Sequence, residues 1–169
     1  MKLTISCLQF DIAYGNPSEN FKKAEQLIEQ ESRKADILLL PELWTTGYDL
    51  KNLGSIADEE GRQTKRWLQE TAKANRIHIV CGSVAVKKKS GVYNIMYIAD
   101  KNGHLIKEYS KAHLFQLMDE HLYLSAGSGD GRFELEGMPA AGFICYDIRF
   151  PEWIRKHTSE GVVYRFTLI

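Results

Sequence analysis

Apolar and polar residues follow two different periods along the chain, and their alternation predicts strands and helices in turn. Ile37 to Leu40 form a continuous apolar run that ends at Pro41, which is typical of a strand covered on both faces. Asn16-Pro17-Ser18-Glu19 is a typical helix start, and it precedes apolar residues at helical spacing, namely Phe21, Ala24, Leu27 and Ile28. A second helix is predicted from Arg62 to Asn75, with an inward face made by Trp67, Leu68, Thr71 and Ala72.

The remaining elements are a series of strands and one more helix. Strands are predicted at 1–11, 77–81, 92–98, 104–109 and 141–145, and a helix at 151–157. Asn102-Gly103 suits the positive φ angles of a tight hairpin turn, and the charged run from Lys87 to Gly91 suits a solvated hairpin tip. Residues 110–130 form a long connection whose aromatic and apolar content favours an ordered, functional loop. This order of elements predicts an α/β (α+β) protein.

The composition is that of an ordinary globular protein, and it excludes several other classes. The 169 residues are 44% hydrophobic and 26% charged, a length at which one domain is expected. Lysine plus arginine and aspartate plus glutamate both number 22, so there is no electrostatic argument for a nucleic-acid partner. The longest apolar run is far shorter than the ~18 residues of a membrane-spanning helix. The three cysteines have no short spacing that would indicate a disulfide framework, which favours a cytoplasmic location.

Three chemically useful side chains follow predicted strands. Glu42 comes after the run that ends at Pro41, Lys111 follows the strand that ends near Tyr109, and Cys145 closes the strand that begins at Ala141. Ligand chemistry in open α/β sheets gathers beyond the carboxyl ends of strands. Each residue also has an ordinary structural interpretation, since a carboxylate at a strand end is usually solvated and a cysteine in an apolar strand usually packs in the core.

The three residue types together suit nucleophilic catalysis by a thiol. A free cysteine has a pKa near 8.5, so only about 3% of it is thiolate at pH 7. The lysine is expected to favour the anion of the Cys145 thiol, and the carboxylate of Glu42 to accept its proton. The same lysine would stabilise an oxyanion on a carbonyl under attack.

Three segments carrying these residues resemble the signature segments of the nitrilase, or carbon–nitrogen hydrolase, superfamily. They are Leu38-Leu39-Leu40-Pro41-Glu42, the run from Tyr109 to Phe115, and the run from Cys145 to Glu152. The resemblance implies an α-β-β-α sandwich with a Glu-Lys-Cys catalytic set. It implies that Glu42 is the general base and acid, Lys111 the oxyanion stabiliser and Cys145 the nucleophile. It also implies that Glu120 is a supporting glutamate that orients the lysine and the substrate.

Within the superfamily, the segment after Cys145 is most similar to the ω-amidase-like branch of small aliphatic amidases. That resemblance implies a small amide and water as reactants, with the backbone N–H of Tyr146 as a second oxyanion donor. Arg149 would bind a substrate carboxylate or, equally, form a structural ion pair. Trp44 and Tyr48 would line the pocket, or else pack in a lid or the core. Members of the family are commonly homo-oligomers.

Other signals are weaker. His113 offers a rival cysteine–histidine dyad. It lies two residues from Lys111 on an extended segment, where both side chains would face the same way, so it is expected near the site without being the base. The glycine-rich run from Gly127 to Gly131 lacks the lysine and helix of a phosphate loop. The histidines have no metal-ligand spacing. We therefore predict no metal and no cofactor.

The family's catalytic domain normally continues well beyond the nucleophile strand. By that resemblance, residues 1–169 are expected to form a single, partial domain that lacks the C-terminal half of the sandwich, with an atypical tail at 159–169. The alternative to an active amidase is an inactive truncated fragment, or an interaction module that keeps the catalytic residues. An exposed sheet edge left without its neighbour would favour association.

Overall fold

The structure is a computed structural model that describes residues 3–159 and 161–168. The strands are β1 (Ile5–Cys7), β2 (Ile37–Leu39), β3 (Asp58–Glu59), β4 (His78–Lys88), β5 (Gly91–Ala99), β6 (Leu105–Ser110), β7 (Arg132–Leu135), β8 (Met138–Ile144) and β9 (Tyr164–Leu168). The α-helices are α1 (Pro17–Glu31), α2 (Leu53–Ile56), α3 (Arg62–Asn75), α4 (Glu120–Tyr123) and α5 (Pro151–Thr158). Short 3-10 helices lie at Leu50–Asn52, Gln116–Met118 and Cys145–Arg149.

The strands form two sheets. The larger has the order β1-β2-β4-β5-β6, with β3 paired to β4, and the smaller has the order β7-β8-β9. Strands β1, β2 and β4 are parallel, and β4, β5 and β6 form an antiparallel meander. Because β6 therefore runs in the same direction as β2, the carboxyl ends of both strands lie at one edge of the sheet.

Two apolar layers cover the two faces of the larger sheet. On one face, α1 and α3 contribute buried side chains that pack with Leu38 and Ile79; they are Phe21, Ala24, Ile28, Leu68 and Ala72. On the other face, Ile37 and Val80 pack against residues of the smaller sheet, including Ile144 and Phe166. The prediction that the strand at 37–40 is covered on both faces is confirmed.

The smaller sheet completes the layers. Phe143 and Ile144 are neighbours in β8, so their side chains point to opposite faces of the smaller sheet. Ile144 faces the larger sheet, whereas the ring of Phe143 lies 5.9 Å from that of His157 in α5. The described residues thus stack in the order helix, sheet, sheet, helix. This mixed α/β arrangement agrees with the predicted fold class.

The helix predictions are confirmed, whereas several strand limits are wrong. The helix at 62–75 has the predicted bounds, and Asn16 caps α1 by accepting a hydrogen bond from the backbone of Glu19. The predicted strand 141–145 begins earlier, at Met138, and ends at Ile144, so that Cys145 lies outside it. The first strand is restricted to Ile5–Cys7, while Met1 and Lys2 lie outside the described residues.

Three strands that the pattern did not predict are β7, β9 and the two-residue β3. The atypical tail expected at 159–169 contains β9, which pairs in parallel with β8. Glu160 and Ile169 of that tail lie outside the described residues.

The tight turn with two positive φ angles occurs at a different place from the one predicted. In the turn at 100–104, which the structure describes in full, Gly103 alone has a positive φ, of 83°. The two-residue turn lies instead at Glu136-Gly137, where φ is 52° and 73° and Leu135 pairs with Met138. The Glu136 carboxylate is held by His78 at 2.6 Å and by Lys101 at 2.7 Å, which stabilises a conformation that glutamate rarely adopts.

The predicted hairpin tip within 87–91 is confirmed as the turn between β4 and β5, although β4 extends to Lys88.

Candidate active site

Glu42 and Lys111, although 69 residues apart, lie in contact at the edge of the larger sheet. Glu42 follows β2, Lys111 follows β6, and the Lys111 Nζ lies 2.8 Å from Glu42 Oε1. The exposed fraction of Lys111 is 1% and that of Glu42 is 6%, so the pair is almost completely removed from water. A buried ion pair is retained only where further hydrogen bonds satisfy both groups, and such bonds are present here.

Glu120 is the second carboxylate that binds Lys111. Its Oε1 lies 2.8 Å from the Lys111 Nζ, and its Oε2 accepts a hydrogen bond of 2.8 Å from the backbone N–H of Phe115. Burial by itself lowers the pKa of the Lys111 ammonium, but the two carboxylates outweigh burial and raise it above its ordinary value. The ammonium has three protons, and two of them bind Glu42 and Glu120. No other described residue accepts the third.

Tyr48 bridges the two carboxylates. Its hydroxyl lies 2.7 Å from Glu42 Oε2 and 3.1 Å from Glu120 Oε1. Burial, followed by the charges of Glu42 and Glu120, raises the pKa of the Tyr48 phenol far above its ordinary value. The phenol therefore keeps its proton at any working pH.

Asn94 was not predicted from the sequence. It is fully buried in β5, and its Nδ2 donates a hydrogen bond of 2.9 Å to Glu42 Oε1. The backbone carbonyl of Asn94 accepts the backbone N–H of Lys111, also at 2.9 Å, because the pairing of Ile95 with Ser110 brings the two residues side by side. The available signal was a polar amide inside the apolar strand Val92 to Ile98.

Cys145 begins the 3-10 helix that follows β8, with a positive φ of 42°. A non-glycine residue in this region is uncommon, and such conformations are concentrated at functional sites. Burial and the charge of Glu42 raise the pKa of the Cys145 thiol to about 11, against the lowering effect of Lys111. Lys111 does favour the thiolate, as expected, but burial and Glu42 together have the larger effect, so the resting thiol keeps its proton.

Asp147 holds the turn that carries Cys145. Its carboxylate is fully buried and accepts hydrogen bonds from the backbone N–H of Ile144, the hydroxyl of Tyr109, and both the backbone and the ring of His113. It thereby joins the end of β8 to the segment that carries Lys111. The sequence pattern did not distinguish this aspartate from a surface residue.

A cavity of about 620 Å³ opens beside the thiol; it is lined by Phe115, Leu117, Cys145, Tyr146, Ile148 and Arg149. The ring of Tyr146 packs against that of Phe115 at 4.8 Å. Arg149 is exposed, and none of the described residues forms an ion pair with it; its two predicted roles, binding a substrate carboxylate or forming a structural ion pair, stay predictions. The cavity is thus largely apolar with one cationic side chain.

Two predicted residues lie elsewhere than at the thiol. Trp44 is completely buried in the core, where its indole N–H donates to the carbonyl of Cys81 and its ring contacts Phe21, so it does not line this cavity. The His113 ring binds Asp147 at 2.8 Å and stacks on Phe150 at 3.7 Å. The histidine is thus engaged with the turn, beside the site.

The chain is similar in sequence to a known protein family. The model of the carbon-nitrogen hydrolase family matches residues 4–167, which is nearly the whole chain. The chain belongs to the carbon-nitrogen hydrolase family.

Relatives in this family include proteins named as amidases. The chain is 72% identical over 161 residues to 2-oxoglutaramate amidase of Bacillus subtilis, a match that covers 95% of this chain and 62% of the relative. It is 30% identical over 155 residues to omega-amidase YafV of Escherichia coli, covering 91% and 58%. A solved CN-hydrolase superfamily protein of Xanthomonas campestris, with an arsenic adduct in its active site, superposes with a TM-score of 0.83 at 30% identity, covering 89% and 56%. The chain therefore spans less than two thirds of the length of these relatives.

Among residues 3–159 and 161–168, no group of three histidine, cysteine or acidic residues is arranged to hold a metal ion. No helix in the same residues has the length and apolar character needed to cross a bilayer.

Proposed function

We propose that the protein is an amidase that releases ammonia from small aliphatic ω-amides through a cysteine thioester. The observation that carries the proposal is the buried contact of Lys111 with both Glu42 and Glu120, beside the thiol of Cys145. A nucleophile, a proton acceptor and an oxyanion donor then share one site that excludes most water.

In the first step, the Cys145 sulfur attacks the amide carbon while Glu42 takes the thiol proton. The high pKa of the thiol, about 11, means that a base must act during the attack rather than before it. The third proton of the Lys111 ammonium and the backbone N–H of Tyr146 stabilise the developing oxyanion. The C–N bond then breaks, and the nitrogen takes the proton from Glu42 and leaves as ammonia.

In the second step, water opens the thioester. Glu42 takes a proton from the water as its oxygen bonds to the acyl carbon. The C–S bond breaks, the sulfur regains the proton from Glu42, and a carboxylic acid is released that loses its remaining proton to solvent. Glu42 thus serves as base and acid in turn, and Glu120 holds the ammonium of Lys111 in place throughout.

The cavity supports a substrate with a carboxylate at its far end. Arg149 is free to bind that carboxylate in a bidentate manner, while Phe115, Leu117 and Ile148 contact the methylene groups between the two ends. Monoamides of short dicarboxylic or 2-oxo dicarboxylic acids have this shape. The names of the two amidase relatives, 2-oxoglutaramate amidase and omega-amidase, agree with the same class of substrate.

We further propose that residues 1–169 act as one domain in the cytoplasm. The three cysteines are free, which suits a reducing compartment. Exposed Leu117, Leu122 and Ile148 near the cavity agree with association into homo-oligomers.

The test is ammonia release from 2-oxoglutaramate and from simple aliphatic amides, with Cys145→Ala and, as a matched control, Cys7→Ala. Cys7 is exposed in β1 and outside the site. We expect turnover in the wild type and in Cys7→Ala, and none in Cys145→Ala. Turnover that persists in Cys145→Ala would refute the nucleophile. A wild type inactive on every amide would favour the alternative of an inactive fragment or interaction module.

A further inference from the structure

Tyr48 presents one proton to two carboxylates. A phenol has a single O–H, yet Glu42 Oε2 and Glu120 Oε1 both lie within hydrogen-bonding distance of it, at 2.7 Å and 3.1 Å. At any moment the hydroxyl donates to one of them only. The shorter distance identifies Glu42 as the acceptor in the resting site.

The acceptor positions of Glu42 can be counted. Each carboxylate oxygen accepts about two hydrogen bonds. Oε1 already accepts one from Lys111 and one from Asn94, whereas Oε2 accepts one from Tyr48. The position left for a further proton is therefore on Oε2, the same oxygen that Tyr48 binds.

Glu120 offers the second acceptor. Its Oε2 accepts the backbone N–H of Phe115, and its Oε1 accepts Lys111 and has one position left, facing the Tyr48 hydroxyl. Because Lys111 holds both glutamates and both acceptor oxygens lie within hydrogen-bonding distance of the Tyr48 hydroxyl, the phenol can exchange acceptors by rotation about its C–O bond. The ring does not have to move.

We propose that Tyr48 is a positioning residue that holds Glu42 in its ionised state and donates to Glu120 instead once Glu42 has taken a proton. This inference rests on the proposed function. The proton that reaches Glu42 Oε2 comes from the Cys145 thiol, and the O–H bond of Tyr48 is never broken. When Oε2 becomes a hydroxyl, the phenol turns to the carboxylate that is still charged. When the proton leaves with ammonia, the phenol turns back.

The proposal has a pH consequence that depends on every charged group around Glu42. These groups are the ammonium of Lys111, the carboxylate of Glu120, the thiol of Cys145 and the phenol of Tyr48. Loss of the phenol removes a hydrogen bond that favours the ionised Glu42, and leaves the other three groups unchanged. The acid limb of any reaction that needs the charged carboxylate as a base then moves upward in pH.

The experiment compares Tyr48→Phe with Tyr97→Phe. Tyr97 is the control because it is a buried tyrosine whose hydroxyl has no hydrogen-bond partner among the described residues, and it lies outside the site. For Tyr48→Phe we expect kcat to fall at least about tenfold and KM to change less than about twofold. The acid limb of kcat/KM should move up by about one pH unit, the effect of one hydrogen bond to a charged group. Tyr97→Phe should match the wild type.

A second measurement does not depend on amide turnover. In a Cys7→Ser background, the rate of Cys145 alkylation by iodoacetamide is followed between pH 4 and 9, with thermal unfolding by circular dichroism as the folding check. The acid-side inflection should move up in Tyr48→Phe by the same amount. An unmoved inflection in a folded Tyr48→Phe protein overturns the role of Tyr48, whether or not the protein hydrolyses amides. A moved inflection without amide hydrolysis would instead leave Tyr48 in place and refute only the proposed function.

Discussion

The protonation state of Cys145 distinguishes this site from sites that store a thiolate. With a pKa of about 11, roughly one thiol in ten thousand is ionised at pH 7. An ion pair of thiolate with histidine or lysine would lower that pKa instead. Here the buried negative charge of Glu42 opposes ionisation, and the same charge makes Glu42 able to receive the proton. In the proposed mechanism, base and nucleophile are therefore coupled.

Arg149 provides a prediction at the scale of one residue. If it binds a substrate carboxylate, Arg149→Met should raise KM for a dicarboxylic monoamide such as 2-oxoglutaramate by about 10- to 100-fold, the range for a hydrogen bond to a charged group. A simple amide such as butyramide has no such carboxylate, so its kinetics should stay within about twofold. Steady-state ammonia release measures both.

The control for this prediction is Arg66→Met, an exposed arginine of α3 remote from the cavity. It should leave both substrates unaffected. If Arg149→Met impaired ammonia release equally for both substrates, Arg149 would maintain the shape of the cavity rather than bind the substrate carboxylate.

The acid, the amine and the sulfur could be chosen from the sequence because each lies at the end of a predicted strand. The contacts of Tyr48 and Asn94 could not be. Asn94 reaches Glu42 only because β5 pairs with β4 and β6 in a particular register. No local sequence pattern determines the register between distant strands. Tyr48 was expected to line the pocket, but its hydroxyl reaches two carboxylates that are 78 residues apart in the chain.

At the scale of elements, periodicity predicted the long helices well and the short strands poorly. Helix α3 combines a 3.6-residue apolar period with a glycine before it and a left-handed Arg76 after it. The four residues of β7 are too few to show a period. The turn that joins β7 to β8 contains Glu136 where asparagine is the usual signal, and only the three-dimensional contacts with His78 and Lys101 explain why.

The turn that carries Cys145 depends on one buried side chain. Asp147 accepts four hydrogen bonds from three segments, and at least one donor loses a charged acceptor in Asp147→Asn. We expect this variant to be less stable by about 2–4 kcal/mol in urea denaturation, since bonds to a charged group contribute about 1.5–3 kcal/mol each. Turnover should fall as well, because the turn positions the nucleophile.

Asp119→Asn is the matched control, since Asp119 is exposed and its φ of 59° suits asparagine. It should change stability by less than about 0.5 kcal/mol. If Asp147→Asn were equally neutral, the carboxylate would not be what holds the turn.

At the scale of the whole molecule, the buried site should make folding sensitive to alkaline pH. The pKa of the Cys145 thiol is raised from 9.0 to about 11 in the folded protein. Between these values the folded chain keeps a proton that the unfolded chain has lost, so this contribution to stability is complete below pH 9 and is lost as the pH rises to about 11. The slope from this group is smaller than the full ~1.4 kcal/mol per pH unit, because the thiol is partly exposed.

Urea denaturation under reducing conditions at pH 8, 9, 10 and 11 measures this loss. Buried tyrosines such as Tyr48 and Tyr109, whose pKa values are also raised, destabilise every variant above pH 10, so the difference between wild type and Cys145→Ser isolates the thiol. Cys145→Ser should lose less stability than the wild type from pH 9 to 11, and Cys7→Ser should follow the wild type. Parallel curves for the wild type and Cys145→Ser would mean that the thiol ionises equally easily in both states. Burial and the charge of Glu42 would then not control the nucleophile, and attack by a preformed thiolate would replace the base-coupled first step.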